Sequence, residues 1–244
     1  MGGATVAAYY ARQLSNVLIR PLNLMGPARC ACPCCGWRGT RFLNYIGYDE
    51  TLFNYVCPRC GGHARHRGLA IFLRHYFAAK SAPSRVLHFA PERGIAAGIA
   101  ANPQVRYVTL DRAPHCVSVR GDIGAMPFVG GAFDLIICCH VLEHLPDDAR
   151  ALREIERTLK RGATALIMVP MRPGWEAAPT LEFGAPQPRL SDHWRLYGND
   201  VPQRMSAAGL EPRTIRFSSF LTPEEQQLYQ AGDDVIFLGS KAES

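Results

Sequence analysis

The sequence lacks the features of membrane-spanning, repetitive and disordered chains. It contains no apolar run that approaches the roughly 20 residues of a transmembrane helix. It has no low-complexity tract or fixed-period repeat, and its 22 glycines and 18 prolines are scattered. Residues 1–29 lack the uninterrupted apolar stretch of a secretory signal peptide. With 244 residues, 48% of them hydrophobic, the chain can form one large α/β domain, alone or with a small module.

Acidic residues are scarce in the first third of the chain. Residues 1–80 contain only Asp49 and Glu50 against ten Lys and Arg, whereas the remaining 164 residues contain 17 basic and 19 acidic side chains. This excess predicts an anionic partner, such as nucleic acid or a phosphorylated substrate, or else a solubilising face. Because residues 1–29 hold three arginines and no acid, a transit peptide is the alternative there to a surface helix.

Nine cysteines are present, and six of them lie between residues 30 and 60. A secreted disulfide scaffold would use an even set distributed along a short chain. Closely spaced cysteines without a signal peptide instead indicate metal ligands in a reducing compartment. We therefore expect a cytoplasmic protein.

Two stretches, residues 32–36 and 57–61, share the pattern C-P-x-C-G and are called the first and second knuckle below. In the sequence, 21 residues separate Cys35 from Cys57. The two-residue gap lets both thiolates of a pair bind one ion, and the glycine permits the tight turn that follows. Four thiolates form a closed tetrahedral zinc site, which is structural rather than catalytic. The predicted zinc ligands are Cys32, Cys35, Cys57 and Cys60.

Other assignments of the cysteine-rich region remain open. Cys34 is expected to point away from the metal, although the register between Cys30 and Cys32 is uncertain from sequence. His63 and His66 are alternative ligands, and redox-active cysteines are the alternative to a metal site.

The spacing of polar and apolar residues also predicts secondary structure around the cysteines. The aromatic-rich stretch Thr40–Val56 predicts the hairpin of a ribbon. Apolar residues at helical spacing predict an amphipathic helix over 64–79. We expect an N-terminal helix or extension at 1–29, a zinc ribbon at 30–66, a connecting helix at 67–80 and a second domain at 81–244.

From Arg85 onward, strand-like and helical patterns alternate, which predicts an α/β fold with a parallel sheet and helices on both faces. The predicted strands are Arg85–Ala90, Arg106–Asp111, Cys116–Val119, Phe133–Cys139 and Thr164–Val169, and a helix is predicted over 147–161. Ligands of such sheets bind beyond the carboxyl ends of the strands. There, the turn after Ala90 offers backbone amides to a carboxylate, Asp111 can accept both hydroxyls of a ribose, and Asp122 can accept from an adenine amino group.

Several motifs in residues 85–170 occur together in one protein family. They are Val86–Gly94, Asp111, Gly121-Asp122-Ile123 with Met126-Pro127-Phe128, Phe133-Asp134-Leu135 leading to His140–His144, and Leu159–Gly162. This segment resembles the type-11 branch of the class I S-adenosylmethionine-dependent methyltransferases. With the two knuckles and Arg65-His66-Arg67 upstream, residues 30–241 are similar to its zinc-ribbon members.

The resemblance implies a Rossmann-like sheet and an S-adenosylmethionine site. The predicted cofactor-binding residues are His88, Ala90, Glu92, Gly94, Asp111, Arg112, Asp122, Ile123, Cys139 and His140. The first motif departs from the usual pattern, because His88 replaces an acid and both Ala90 and Glu92 replace glycine. We expect Glu92 to take over the role of the missing acid. A dehydrogenase is disfavoured, since G-x-G-x-x-G is absent, and no Walker motif is present.

The C-terminal part predicts a substrate site. Residues 171–197 are expected to form a structureless loop that ends in the run Asp192–Gly198 and lies over the substrate pocket; a purely structural loop is the alternative. A helix is predicted over Val201–Ala208. Two antiparallel strands, near Thr214–Phe217 and Val235–Gly239, are expected to complete the sheet.

Methyl transfer from a sulfonium requires mainly alignment and exclusion of water. A general base is needed only for a hydroxyl or a protonated nitrogen, and histidine suits neutral pH. His140, His144 and His193 are the candidates, and a structural role is the alternative for each. Cys138 and Cys139 are expected to be small buried apolar residues rather than nucleophiles.

The sequence therefore predicts methyl transfer to a small or carrier-linked metabolite, such as a sugar, a natural product or a lipid head group. An RNA base methyltransferase that uses the basic ribbon is one alternative. A catalytically inactive binding protein is the other. Nucleic acid is not favoured as a partner, because the arginines of residues 1–80 are mostly single and lie among aromatic residues.

Overall fold

The computed structural model describes residues 3–46, 51–80, 82, 84–113 and 117–243, with side chains from residue 13 onward. The helices are α1 (Gly3–Met25), α2 (Ala64–Ala78), α3 (Arg93–Ala100), α4 (Asp148–Thr158), α5 (Val201–Ala207) and α6 (Pro223–Tyr229). The strands are β1 (Cys30–Ala31), β2 (Arg38–Gly39), β3 (Leu43–Ile46), β4 (Thr51–Val56), β5 (Ser84–Phe89), β6 (Val105–Asp111), β7 (Val119–Arg120), β8 (Phe133–Cys139), β9 (Leu159–Met168), β10 (Leu181–Gln187), β11 (His193–Leu196), β12 (Leu210–Arg216) and β13 (Val235–Lys241). Among these residues no helix has the length and apolar character that crossing a bilayer requires.

The chain divides into two compact units. Unit 1 consists of Met1–Lys80, Glu92–Gly98 and Phe217–Asp234, and unit 2 contains the other residues. The predicted ribbon and the helix that follows it therefore share unit 1 with two segments from later in the chain. Within unit 1, β1 pairs with β2 and β3 pairs with β4, both antiparallel.

The guanidinium of Arg67 lies at the centre of unit 1. Its side chain is fully buried and lies over the ring of Phe42, 3.8 Å from the centroid. It donates hydrogen bonds to backbone carbonyls of Tyr55, Tyr229 and Gln230. A buried cation is stable only when its donors are satisfied, so Arg67 joins the ribbon to the segment around α6.

Unit 2 contains a seven-stranded sheet with the order β12-β13-β9-β8-β5-β6-β7. Neighbouring strands from β7 to β9 are parallel, and β13 is antiparallel to both β9 and β12. The central strand β8 is apolar from Leu135 to Cys139, and its Leu135, Ile136 and Ile137 are fully buried, as expected for a strand covered on both faces. The predicted Rossmann-like fold is confirmed.

Three predicted elements differ from the observed ones. The predicted helix 147–161 ends at Thr158, because Leu159 is already extended (φ −69°, ψ 140°) and begins β9. The predicted third strand is observed as Val119–Arg120, and residues 114–116 lie outside the described residues. The segment 171–197 is not structureless, since β10 and β11 form an antiparallel pair with an irregular register.

Candidate active site and cysteine cluster

The four predicted metal ligands converge within unit 1. The Sγ atoms of Cys32 and Cys60 are 3.8 Å apart, and those of Cys35 and Cys57 are 3.7 Å apart. Both knuckles form the same turn, because the amide of the glycine one residue after the second cysteine donates to the carbonyl of the first cysteine at 2.9 Å. Those glycines have φ values of 73° and 72°, a conformation that a side chain would strain.

The sulfur positions fit a tetrahedral ion. Zinc–sulfur bonds of about 2.3 Å place neighbouring sulfurs roughly 3.8 Å apart, close to the two distances above. Hydrogen bonds from Cys32 and Cys57 lower the pKa of Cys60 to about 2. Hydrogen bonding among the sulfurs raises the pKa of Cys32 and Cys57. Four thiolates this close together repel one another, so a bound cation would stabilise them.

The other candidate ligands lie outside this cluster. Cys34 donates to the carbonyl of His66 at 3.4 Å, and Cys30 donates to the carbonyl of Thr40 at 3.6 Å. His66 accepts a hydrogen bond from the amide of His63 through Nδ1. The geometry therefore selects Cys32 rather than Cys30 for the first knuckle.

Two predicted cofactor residues, Glu92 and Gly94, belong to unit 1. The Oε1 atom of Glu92 lies 3.3 Å from Nε2 of His66, and the Glu92 side chain is 19% exposed. A Cβ atom at Gly94 would lie 2.9 Å from the Cβ of Cys34. Glycine is thus required at position 94 for close packing against the first knuckle. The roles of Glu92 and Gly94 in cofactor binding stay predictions.

Unit 2 contains a cleft of about 290 Å³ at the carboxyl ends of β5, β6 and β8. Its lining is Phe89, Ala90, Leu110, Asp111, Arg112, Gly121, Ile123, His140, Val141, His144 and Leu145. Six of these are predicted site residues: Ala90, Asp111, Arg112, Ile123, His140 and His144. The parallel strands bring them together, because their carboxyl ends share one edge of the sheet.

The two carboxylates predicted to bind a nucleoside have free acceptor capacity. Asp111 accepts from the amide of Ala113 at 3.0 Å, and Asp122 accepts from the amide of Gly124 at 2.7 Å. Asp122 also lies 3.8 Å from Arg112, and both side chains are at least half exposed. Since a carboxylate offers about four acceptor positions, each acid can still bind ligand hydroxyl or amino groups.

The backbone is strained where β5 and β8 end. Ala90 has a φ of 44° and His140 a φ of 54°. Each amide is nevertheless bonded to a neighbouring strand, that of Ala90 to Leu110 at 3.0 Å and that of His140 to Met168 at 2.8 Å. Left-handed conformations of residues other than glycine are concentrated at functional sites, and both of these face the cleft.

Three predicted cofactor residues of unit 2, Asp122, His88 and Cys139, are not in the lining of the cleft. His88 is fully buried within β5, and its Nδ1 lies 2.8 Å from the hydroxyl oxygen of Tyr107. Cys139 is 3% exposed, and Cys138 beside it is fully buried, the positions expected of small apolar side chains. The imidazole of His88 thus has a polar partner inside the sheet.

The 3-10 turn Leu142–His144 lies at the rim of the cleft, since His144 is part of the lining, and β11 contacts this turn. The rings of His144 and His193 meet edge to face with centroids 4.9 Å apart, so the structure brings two predicted catalytic histidines together. The residue that fixes the turn of His144 to β11 is Arg195, which was not predicted from the sequence. Arg195 is 3% exposed and donates to the carbonyls of Leu142, Leu145 and Pro146 at 3.1, 2.7 and 3.0 Å.

A second buried contact anchors the same segment. The hydroxyl of Tyr197 donates to Asp148 at 2.8 Å, and Arg204 donates to the same carboxylate at 3.0 Å. Burial raises the pKa of Tyr197 well above its usual value. The only sequence signal for these contacts was the polar and aromatic run Asp192–Gly198.

Comparison with known proteins identifies the domain that contains the cleft. Residues 84–167 match the family described as "Methyltransferase domain", type 11. The segment extends from β5 into β9 and includes all the residues that line the cleft. It is therefore a methyltransferase domain of the predicted branch.

Two curated relatives illustrate the extent of the similarity. Ajmaline N-methyltransferase from Rauvolfia serpentina is 44% identical over 48 residues, which are 20% of this chain and 16% of that protein. Demethylmenaquinone methyltransferase from Roseiflexus castenholzii is 29% identical over 121 residues, 50% of this chain and 44% of that protein. The chain thus spans less than half of the length of these relatives.

Among solved structures, that of 1,6-didemethyltoxoflavin-N1-methyltransferase from Burkholderia thailandensis is similar. The TM-score is 0.52 and the identity 16%, over 73% of this chain and 78% of the other. That structure contains its substrate and S-adenosylhomocysteine. At this level of identity the similarity shows a shared fold.

Proposed function

We propose that this chain, in which residues 84–167 form a class I methyltransferase domain of the type-11 branch, transfers the methyl group of S-adenosylmethionine to a small or carrier-linked metabolite. The observation that carries the proposal is the cleft at the carboxyl ends of β5, β6 and β8, with Asp111 in its lining. This is the edge at which open α/β sheets bind nucleotides.

Individual residues have distinct roles in this proposal. Asp111 accepts hydrogen bonds from the ribose hydroxyls and Asp122 from the adenine amino group, while the buried side chain of Ile123 packs against the adenine ring. The strained turn at Ala90 receives the methionine end.

The chain's contribution to the chemistry is alignment. The methyl group of a sulfonium is already activated, so in-line attack requires an oriented acceptor and exclusion of water. His140 and His144 line the cleft, and His193 contacts the ring of His144. We propose these histidines as the candidate bases for a hydroxyl or ammonium acceptor.

The four clustered cysteines are proposed to hold one structural zinc ion. The fit of the sulfur separations to a tetrahedron supports this assignment, as does the repeated turn of the two knuckles. Since four thiolates leave no open position on the ion, the zinc stabilises unit 1 and does not contact a substrate.

A small or carrier-linked acceptor is favoured over RNA. The two curated relatives are named for an alkaloid and for a quinone precursor. Arg67, from the densest basic cluster of residues 1–80, is fully buried and bonded to backbone carbonyls. It is therefore not available for phosphate contacts.

Labelling of cell fractions tests this function. Purified protein and S-adenosylmethionine with a tritiated methyl group are incubated separately with total RNA, total protein and a fractionated metabolite extract. We expect label in one metabolite fraction and none with the Asp111→Ala variant. Label in RNA alone would show that the chain is an RNA methyltransferase instead. Cofactor binding without label in any fraction would favour a catalytically inactive binding protein.

A further inference from the structure

Three side chains of the metal-ligating type converge at the rim of the unit 2 cleft. One donor atom from each of Glu143, His144 and His193 lies within 4.8 Å of the other two. Glu143 and His144 belong to the 3-10 turn after β8, and His193 begins β11. Two separate elements therefore supply the set, and Arg195 fixes one to the other through the carbonyls described above.

Glu143 is the unusual member of this group. Its side chain is fully buried, and neither carboxylate oxygen receives a hydrogen bond from the part of the chain that the structure describes. Its Oε1 atom lies 3.2 Å from Nδ1 of His140, which forms an ion pair only when that ring is protonated. Burying a carboxylate without hydrogen bonds is strongly unfavourable, and a bound cation removes this penalty.

We propose that Glu143, His144 and His193 bind one divalent metal ion at the rim of the cleft. Two imidazoles and a carboxylate suit ions such as Zn²⁺, Co²⁺ or Fe²⁺. Bonds of about 2.0–2.2 Å place two ligands of one ion at most roughly 4.4 Å apart. The observed group therefore needs only small side-chain movements to close around an ion.

The role of this site rests on the proposed methyl transfer. It specifies the class of methyl acceptor, which is a hydroxyl group. An ion with three protein ligands keeps open positions, and His144 also lines the cleft that contains Asp111. Coordination lowers the pKa of the acceptor hydroxyl. With the ion bound, His144 and His193 are therefore ligands instead of bases, and the proton passes to solvent. The oxygen then forms a bond to the methyl carbon as the carbon–sulfur bond breaks and its electron pair remains on sulfur.

Cobalt titration of the zinc-loaded protein tests the site. We expect about one equivalent of Co²⁺ to bind in addition to the zinc, with weak absorption from nitrogen and oxygen ligands. The strong sulfur-to-cobalt bands of a four-cysteine site should be absent. His193→Asn and Glu143→Gln should each weaken binding at least tenfold, as expected for a lost ligand (about 1.4 kcal/mol or more). His75→Asn, which alters an exposed histidine of α2, should leave cobalt affinity unchanged.

Binding of S-adenosylmethionine, measured on the same samples, separates this proposal from the previous one. Protein that binds the cofactor but no cobalt contradicts the metal site alone. Protein that binds cobalt but no cofactor contradicts methyl transfer alone. Cobalt binding that survives both His193→Asn and Glu143→Gln would place the ion elsewhere and overturn the assignment.

Discussion

Ala90 occupies the strained position at the end of β5, with a φ of 44° and an exposed side chain. The left-handed region costs a residue with a Cβ roughly 1–2 kcal/mol. Glycine avoids this cost, which is the physical reason for glycine at this position in the related motif. The alanine keeps a strained turn directly beside the proposed methionine end of the cofactor.

Replacing Ala90 tests this strain. Ala90→Gly should stabilise the protein by about 0.5–1 kcal/mol, because relief of strain exceeds the added entropy of the unfolded chain. Ala90→Val should destabilise it by more than about 1 kcal/mol, since β-branched residues tolerate positive φ poorly. Urea unfolding measures both. Ala185→Gly, at an exposed residue of β10, is the control and should be destabilising; equal signs for the two glycine variants would contradict the argument.

Asp111 is expected to carry much of the cofactor affinity. Asp111→Ala removes the ribose acceptor, so S-adenosylmethionine should bind about 10- to 100-fold more weakly, corresponding to about 1–3 kcal/mol. Calorimetry on the two proteins gives the comparison. Glu211→Ala, which removes an exposed carboxylate from β12, should leave the affinity unchanged. Equal affinity in wild type and Asp111→Ala would show that the ribose binds elsewhere.

Residues differ in how far the sequence predicts their position. Asp111 could be placed at the cleft because a strand end fixes its location at the sheet edge. The burial of Glu143 could not be predicted, since it depends on tertiary contacts of the turn Leu142–His144 with β11 and α4. The pairing of His88 with Tyr107 likewise depends on the register between β5 and β6.

At the level of elements, the contact between β11 and the 3-10 turn holds the turn that borders the cleft. Arg195 is the link, because its guanidinium binds the carbonyls at the end of that turn and the carboxylate of Glu182 at 2.9 Å. Lysine carries the same charge but cannot reach several carbonyls with one planar group.

Arg195→Lys should therefore destabilise the protein by about 2–4 kcal/mol, since it leaves buried carbonyls without donors. It should also weaken cobalt binding, because the turn and β11 are no longer held together. Denaturant unfolding and the cobalt titration provide the two readouts. Arg213→Lys, on the exposed part of β12, is the matched control. A loss of stability without any change in cobalt affinity would show that Arg195 does not position the histidines.

In the first knuckle, substitutions of the neighbouring residues Cys34 and Cys35 should differ in their effect on zinc binding. Cys35→Ser should lose bound zinc and unfold unit 1, because a structural zinc ion is part of the folding free energy. Cys34→Ser should retain about one equivalent, since Cys34 donates to a carbonyl instead. Metal analysis and circular dichroism give the result. Zinc retained in Cys35→Ser would exclude the proposed ligand set.

Elements could be predicted where one local pattern determines them. The knuckles, the parallel strands and α2 follow from spacing and apolar periodicity. The β10–β11 pair could not be predicted, because β10 contains Gly184 and Pro186 and its register is irregular. The pair is stabilised by contacts between the two strands, such as the one between Arg195 and Glu182. These contacts cannot be read from the local spacing of polar and apolar residues.

For the whole molecule, the charge distribution bears on the choice of partner. Net charge is +6, and the basic excess lies in residues 1–80. Arg67 is buried, and Arg65 donates to the hydroxyl of Tyr55 at 3.4 Å. The cluster that is densest in the sequence therefore does not form an exposed basic patch.

We accordingly expect only weak binding to structured RNA, in the micromolar range or weaker at physiological salt. Affinity measured over a series of salt concentrations checks this, because each phosphate contact adds to the slope of the logarithmic plot. A double variant, Arg38→Gln with Arg41→Gln, controls for ordinary surface charge. A steep slope, together with transfer of methyl label to one RNA species that Asp111→Ala abolishes, would establish the RNA methyltransferase instead.

The composition of unit 1 from three separate stretches of chain has a consequence for synthesis on the ribosome. The carbonyl of Gln230, which binds the guanidinium of Arg67, lies 163 residues later in the chain. At about 5–20 residues per second, that partner emerges roughly ten to thirty seconds after the arginine. The four cysteines have all been made by residue 60. A nascent chain could therefore bind the proposed zinc ion well before the surroundings of Arg67 are complete, and delivery of that ion would be an early event in the life of each molecule.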